Sequence, residues 1–219
     1  SKPFFIRDSS GVTVRNSLFD GDDMEGTGGT GDGFPAGLGL LVRLSSDITL
    51  ENNEMRTFGT SAAFLDTTNI TLVSNNIHDM RSDGFNFGEV QNVLIEGNHF
   101  HNFRTNTATG DHPDMIQFWT TNTDAPSTDV KIRGNTFDAG EGGWTQTIFM
   151  RNGAVDSGGA GQEMFWKNIV IEENVIVNGH SHGITVGATD GLVIRDNMVL
   201  SLPQFDEDRN SSPGIRIAE

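Results

Sequence analysis

The amino-acid sequence predicts an all-β protein, a right-handed single-stranded parallel β-helix of about eight coils with three strands per coil. Three observations predict this solenoid. A short strand-like segment recurs along the chain, nearly every copy carries an asparagine at the same corner, and glycine is abundant at 27 of 219 residues. No amphipathic helical run interrupts the pattern, and such a turn-rich composition favours strands over helices.

The recurring segment has two apolar residues in alternation, a polar corner and a further apolar residue. Its copies begin at Val12, Ile48, Ile70, Val93, Val130, Ile169 and Leu192. The corner positions are Ser17, Asn53, Asn75, Asn98, Asn135, Asn174 and Asn197, separated by 22 or 23 residues or by 36 to 39. A repeat of this length without helices predicts stacked coils. We expect each corner asparagine to adopt the left-handed turn conformation and to bond along a ladder.

A second strand precedes each copy by about six residues, which fits one further strand per coil. These triplets begin at Phe4, Leu40, Ala63, Phe85, Ile116, Ile148, Ile184 and Ile215. The outer two residues of each triplet should point inward and the middle one outward, because side chains alternate along a strand. Right-handedness follows the general rule for parallel crossovers.

Long insertions interrupt the repeat at 20–35, 104–112 and 138–146, with a further bulge at 157–165. Those that precede the same strand should rise from one side of the helix. The sequence therefore predicts a cleft walled by loops.

The outward positions of the second strand form three columns, and neighbouring coils lie about 4.8 Å apart. The central column reads Phe5, Leu41, Phe64, Asn86, Gln117, Phe149, Thr185, Arg216. The column that follows it reads Arg7, Arg43, Asp66, Gly88, Trp119, Arg151, Gly187, Ala218. The column that precedes it reads Leu38, Ser61, Asp83, Asp114, Gln146, His182, Pro213. The middle coils are therefore rich in polar side chains that bind sugars or move protons, whereas the end coils are not.

Four residues are candidates for catalysis: His112, Asp114, Asp83 and Arg151. A histidine titrates near neutrality and can act as a general base or acid. Asp83 and Asp114 should be stacked neighbours, and paired carboxylates split their pKa values. Each aspartate equally fits a turn cap before its strand. Arg151 could hold a carboxylate in bidentate fashion, or be a solvated charge.

Seven further residues are candidates for substrate binding, since amides, cations and flat aromatic rings recognise sugars. They are Asn86, Gln117, Trp119, Arg104, Arg81, Gln146 and His182. Trp119 fits equally well as packing beneath a loop.

The 20–35 insertion is a candidate calcium site, and calcium is the one cofactor candidate. Its acidic residues surround several glycines and could supply oxygen ligands. The candidate ligands are Asp20, Asp22, Asp23 and Asp32. A flexible acidic loop explains the same residues.

Charge and composition limit the partners. A formal net charge of −16 argues against nucleic acid and anionic membranes as partners, because both need a basic surface. No apolar segment is long enough to span a membrane, and the absence of cysteine excludes disulfides and thiolate metal sites. We expect one β-helix domain over residues 1–219, a secreted or extracellular protein or a piece of one. An end-capping domain or oligomer partner would cover its last coil.

The whole chain resembles the right-handed β-helices of polysaccharide lyases, mannuronan C5-epimerases, pectinases and phage tailspikes. SDGFNF with Asp83, PDMIQF with Asp114, SHGITVG with His182 and GIRIA with Arg216 are similar to the polygalacturonase motifs NTDG, DD, GHG and RIK. Pro113 stands where that family has its proton-donating aspartate. The segment DHPD at 111–114 is similar in residue types to the DPHE motif of epimerases and related lyases.

These features leave three functional hypotheses. The first is a lyase or C5-epimerase acting on a uronate-containing polysaccharide, with His112 as base, Asp114 orienting it and Arg151 or calcium neutralising the sugar carboxylate. The second is a glycoside hydrolase or tailspike-type depolymerase that uses Asp83 and Asp114. The third is a non-catalytic carbohydrate-binding or structural β-helix.

Overall fold

The computed structural model describes residues 3–21, 35–106, 111–202 and 213–217. Strands dominate these segments, and all strand pairings are parallel, each strand lying beside its counterparts in the neighbouring coils. The predicted all-β parallel β-helix is therefore confirmed.

The first face of the helix carries the candidate site. In stacking order its strands are β1 (Phe4–Arg7), β4 (Leu38–Glu51), β6 (Thr60–Val73), β8 (Asp83–Glu96), β10 (Asp114–Trp119), β13 (Gln146–Met150), β16 (His182–Val186) and β19 (Gly214–Ile217).

The other two faces follow the same stacking order. The middle face consists of β2 (Ser10–Arg15), β11 (Thr128–Arg133), β14 (Trp166–Glu172) and β17 (Thr189–Arg195), together with the second halves of β4, β6 and β8. The third face consists of β3 (Leu18–Asp20), β5 (Glu54–Arg56), β7 (Asn76–His78), β9 (His99–His101), β12 (Thr136–Asp138), β15 (Val175–Asn178) and β18 (Met198–Ser201).

Left-handed residues turn the chain between faces. In the 14-residue strand β4, Leu44 and Asp47 have φ of 51° and 55°, so the strand bends from the first face to the middle face and keeps one register with β6 on both sides of the bends. The first two strands predicted for such a coil are thus one continuous bent strand.

The predicted asparagine ladder is confirmed, but its predicted conformation is wrong. Asn98 Oδ1 accepts from the backbone N–H and the side-chain amide of Asn75, at 2.9 and 3.0 Å, and Asn98 Nδ2 donates to Asn135 Oδ1 at 3.0 Å. The left-handed residue is the one before each ladder position, such as Gly97 with φ of 62°. The turn therefore aims the following asparagine into the core, where it bridges coils.

The apolar rows inside the coils form one continuous core, with one error in the predicted register. Phe64 was expected to point outward, yet it is fully buried and pairs with Val42 and Phe87. Its ring stacks on Phe87 at 5.2 Å, and Phe87 stacks on Phe118 at 4.4 Å. The triplet thus begins at Ala62, one residue earlier than predicted. Its inward residues are Ala62 and Phe64 and not Ala63 and Leu65, because the large Phe64 ring fills the core better.

The same shift corrects two column positions. Thr60, not Ser61, pairs with Leu38 and Asp83, and Leu65, not Asp66, pairs with Arg43. Asp66 instead forms an ion pair with Arg43 at 3.1 Å.

Helical structure in the described segments is limited to the 151–165 bulge. It contains the single turn α1 (Gly153–Asp156) and a 3₁₀ turn at Gln162–Met164. No helix in these segments is long and apolar enough to cross a membrane.

Candidate functional site

A groove of about 380 Å³ lies on the first face over the middle coils. Its walls come from strands β10 and β13, from the segments that follow them and from His112 just before β10. The lining residues are His112, Gln117, Phe118, Trp119, Thr121, Phe149, Arg151 and Gly153. The groove thus brings together four of the predicted site residues.

Strand register explains why distant residues meet here. Gln117 pairs with Asn86 on one side and Phe149 on the other, and Asp114 pairs with Gln146. In a parallel stack the same offset in each coil lands in the same column, so residues about 30 positions apart become neighbours.

His112 lines the groove and pairs with the buried Asp114 beside it. His112 Nδ1 lies 3.3 Å from Asp114 Oδ2, and the histidine side chain remains 59% exposed. The hydrogen bond to the Asp114 carboxylate raises the pKa of His112, with burial opposing the shift. An exposed imidazole held by a carboxylate can accept a proton near neutral pH.

Asp114 is fully buried, which sets both its chemistry and its role. Burial raises the pKa of its carboxyl group to about 7, the His112 hydrogen bond opposes this, and the charge of Asp83 adds to it. Gln117 Nε2 donates to Asp114 Oδ2 at 2.8 Å. With its side chain inaccessible, Asp114 can orient His112 but cannot touch a substrate.

Asp83 lies in the neighbouring coil, as expected. Its Oδ1 accepts from the backbone N–H of Asp114 at 3.1 Å, and its Oδ2 accepts from Asn86 Nδ2 at 3.0 Å. Burial raises the pKa of this carboxyl group, with these hydrogen bonds opposing the shift. Asp83 therefore supports the strand that carries Asp114 and adds negative charge beneath the groove. Asn86 is itself buried, in the same role.

Gln146 is buried rather than exposed to a ligand. Gln146 is 2% accessible, and its Nε2 lies 2.6 Å from Nε2 and 3.3 Å from Nδ1 of His112. It therefore contacts the candidate base directly, although its position in the sequence predicted contact with substrate.

Aromatic side chains extend the site along the stack. The Phe149 ring packs edge-on against His112 at 5.5 Å and against His182 at 5.3 Å, so it separates the two imidazoles. His182 Nδ1 lies 2.7 Å from Thr185 Oγ1, and burial lowers the pKa of His182. Phe149 and Thr185 stood in the predicted outward column, but an apolar ring and a hydroxyl gave no chemical reason to choose them.

Trp119 lies against the coil before it. Its register partner is Gly88, and a Cβ atom at Gly88 would lie 3.1 Å from Trp119 Nε1. The glycine thus gives the indole room to lie over the neighbouring strand, with the ring still lining the groove.

Arg151 is the cation of the groove. Its side chain is 66% exposed, and its Nε donates to Asp156 Oδ2 at 3.1 Å. The buried Asn152 fixes this segment: its Oδ1 accepts from Thr120 Oγ1 at 3.1 Å and its Nδ2 donates to the Met164 carbonyl at 2.7 Å. A substrate carboxylate would share the guanidinium with Asp156. The sequence did not predict this ion pair, because it depends on how the bulge folds.

Arg81 and Arg104 do not line the groove in the described part of the chain. Arg81 Nε donates to Asp111 Oδ2 at 2.9 Å, with both side chains largely buried. Because Asp111 precedes His112, this ion pair anchors the segment that carries the histidine. The backbone N–H of Arg104 donates to the Met80 carbonyl at 2.6 Å, which ties the start of the same loop to the coil below.

Of the four candidate calcium ligands, Asp20 is the one that lies within the described residues. Asp20 is held by Arg56 Nη2 at 2.7 Å and Thr57 Oγ1 at 2.8 Å. Asp22, Asp23 and Asp32 lie outside the described residues. Within the four described segments, no group of three or more histidine, aspartate or glutamate side chains could hold a metal ion.

Residues 4–199 match the family described as the right handed beta helix region, and the chain belongs to that family. The predicted handedness is thereby confirmed. Among solved structures, the chain is similar to the crystal structure of an alginate lyase from Paenibacillus sp. str. FPU-7, with 11% identity and a TM-score of 0.34. That match covers 100% of this chain and 92% of the lyase, and likeness at this level concerns the fold alone. No curated protein matches the chain.

Proposed function

We propose that the protein processes a uronate-containing polysaccharide outside the cell, as a lyase or C5-epimerase. The observation that carries the proposal is the His112–Asp114 pair in a groove that also presents the Arg151 guanidinium. Both reactions begin with removal of the proton next to a sugar carboxylate, which needs a base and a cation in one site.

The residues divide the chemistry between them. Arg151, or calcium, would neutralise the carboxylate and so acidify the C5 proton, which His112 would accept. In elimination the C5–H and C4–O bonds break, a C4–C5 double bond forms, and the departing oxygen takes up a proton. In epimerisation a proton returns to the opposite face of C5.

Burial of Asp114 favours this chemistry over retaining hydrolysis. A retaining hydrolase needs a carboxylate that attacks the sugar. The Asp114 side chain has no accessible surface and bonds to His112 and Gln117 instead. It supports proton transfer by the histidine, and Trp119 offers an aromatic surface to a sugar ring.

The test is product analysis on alginate, polygalacturonate and glycosaminoglycans, with and without added calcium. New ultraviolet absorbance from an unsaturated uronate supports a lyase, and deuterium uptake at C5 without cleavage supports an epimerase. Reducing ends without absorbance would instead indicate a hydrolase, and retention on a polysaccharide gel without any product would indicate binding alone.

A matched pair of variants ties the activity to the site. His112→Ala should abolish turnover, whereas His99→Ala should not, because His99 is exposed on the third face. Full activity in a folded His112→Ala protein would overturn the assignment.

A further inference from the structure

Arg216 is a cation on the first face that has no acidic partner in the described part of the chain. The arginines in or directly after the other strands of this face, Arg7, Arg43 and Arg151, each form an ion pair with an aspartate. Arg216 lies exposed in β19 and forms no such pair with a described residue. In a chain of net charge −16, this guanidinium is available to an anion from outside.

Strand register places Arg216 in line with the groove. Arg216 pairs with Thr185, and Thr185 pairs with Phe149, which lines the groove. The three residues therefore occupy the same outward column in successive coils. Arg216 stands two coils beyond Phe149, or about 10 Å along the stack.

His182 lies close enough to Arg216 to feel its charge. Its pKa is lowered by burial first, and then by the charges of Arg216 and His112. The His180 ring packs against it at 5.2 Å, and His180 Nδ1 accepts from the His182 backbone N–H. His182 Nδ1 lies 2.7 Å from Thr185 Oγ1, so Nε2 is the ring nitrogen left for a ligand. A bound anion here would be stabilised by the arginine and would favour the imidazolium.

We propose that Arg216 and His182 form a second carboxylate subsite, which binds a further uronate of the polysaccharide chain held in the groove. The uronate as ligand rests on the proposed function. Arg151 would hold the carboxylate of the reacting sugar, and Arg216 the carboxylate of a sugar further along. Guanidinium and imidazolium groups both donate to carboxylate oxygens, and Thr185 would fix the imidazole for this contact.

The surface between the two cations fits a sugar chain. The Phe149 ring is half-buried between His112 and His182 and offers an apolar surface on which a sugar can pack. The polysaccharide would then follow the outward column along the helix axis. Because the two arginines stand two coils apart, one uronate cannot contact both, so affinity should rise with chain length.

Binding of uronate oligosaccharides to the His112→Ala protein tests the proposal, because this variant should leave the ligand intact. Calorimetry at low salt would use tetrasaccharides of galacturonate and of mannuronate, with their carboxyl-reduced forms as neutral controls. Arg216→Gln should weaken binding of a uronate tetrasaccharide about tenfold. Arg15→Gln, the same change at an exposed arginine of the middle face, should leave the affinity unchanged.

Nitrogen NMR of His182 gives a second readout. Its ring signals are assigned by their loss in His182→Ala. A bound carboxylate favours the charged ring, so the His182 titration midpoint should rise by about one pH unit in the complex. The carboxyl-reduced tetrasaccharide should leave the midpoint in place.

The outcomes separate this subsite from the proposed function. Uronate binding that neither depends on Arg216 nor moves the His182 midpoint would overturn the subsite and leave the proposed function standing. Equal affinity for the carboxyl-reduced form would also overturn the subsite. Binding through Arg216 without turnover by the wild-type protein would support the subsite and contradict the proposed enzyme. If no uronate tetrasaccharide binds, both proposals fail.

Discussion

Truncation of one buried ladder asparagine, Asn98→Ala, should lower the free energy of unfolding substantially. Asn98 is 1% exposed and makes four side-chain hydrogen bonds: two accepted from Asn75, one donated to the Leu72 carbonyl and one donated to Asn135. At about 1 kcal/mol net for each bond, Asn98→Ala loses about 4 kcal/mol.

Two of those partners keep another bond, which lowers the expected cost. Asn75 Nδ2 still donates to the Leu50 carbonyl, and Asn135 Oδ1 still accepts from the Asn98 backbone. The backbone N–H of Asn75 loses its acceptor inside the core, where an unpaired donor is costly. The free energy of unfolding should therefore fall by about 3 kcal/mol.

Urea unfolding followed by circular dichroism and tryptophan fluorescence measures this loss. Ser17→Ala is the matched control, because Ser17 holds the same corner in the first coil and its hydroxyl donates only to the Arg15 carbonyl. Its backbone bond to Asn53 survives the change. A cost below 1 kcal/mol for Asn98→Ala, or equal costs for the two variants, would refute the ladder argument.

Three further predictions concern pH and ligand binding. The raised pKa of Asp114 means that the folded state binds a proton the unfolded state has lost, so this contribution to stability disappears as pH rises from about 4 through about 7. Asp114→Asn should therefore gain stability relative to wild type between pH 5 and pH 8, measured as urea midpoints. Burial and two neighbouring imidazoles lower the pKa of His101 to about 4, so its contribution is lost as pH falls from 6.5 to 4. Discounted for solvent, His101→Gln should restore about 1 kcal/mol at pH 4.5, or roughly 2–4 °C in melting temperature. Arg151→Gln should raise KM about tenfold, and Asp156→Asn, which frees the guanidinium, should lower it; shifts in the same direction would contradict competition for Arg151.

The coil repeat was predictable because the same pattern of residues recurs along the chain. Each asparagine stands at a fixed offset from its strand, so the spacing alone gave the ladder, the stacking and the columns that bring Asp114 beside Gln146. The register error at Phe64 arose where neighbouring residues were all apolar, so alternation could not choose which set faced inward. The burial of the Phe64 ring and its stacking on Phe87 reveal the register.

The site was predictable as a column but not as a set of roles. Register places side chains side by side, yet burial decides whether they meet a ligand. Asp114 is fully buried beside His112 and Gln117, and the segment before it carries Asp111, which pairs with Arg81. The repeat does not determine the conformation of a loop. The burial of Asp114 and the ion pair of Arg81 with Asp111 therefore do not follow from the spacing.

The asparagine ladder also has a direction. From Asn53 to Asn174, each side-chain amide nitrogen donates to the amide oxygen of the next coil, never the reverse. The side-chain amide dipoles therefore align along the helix axis, and each bond polarises its neighbours. Such a chain is strongest at its centre, where a link is reinforced from both sides. Coils near Asn98 should consequently resist opening, as hydrogen exchange would detect, while the terminal coils exchange first.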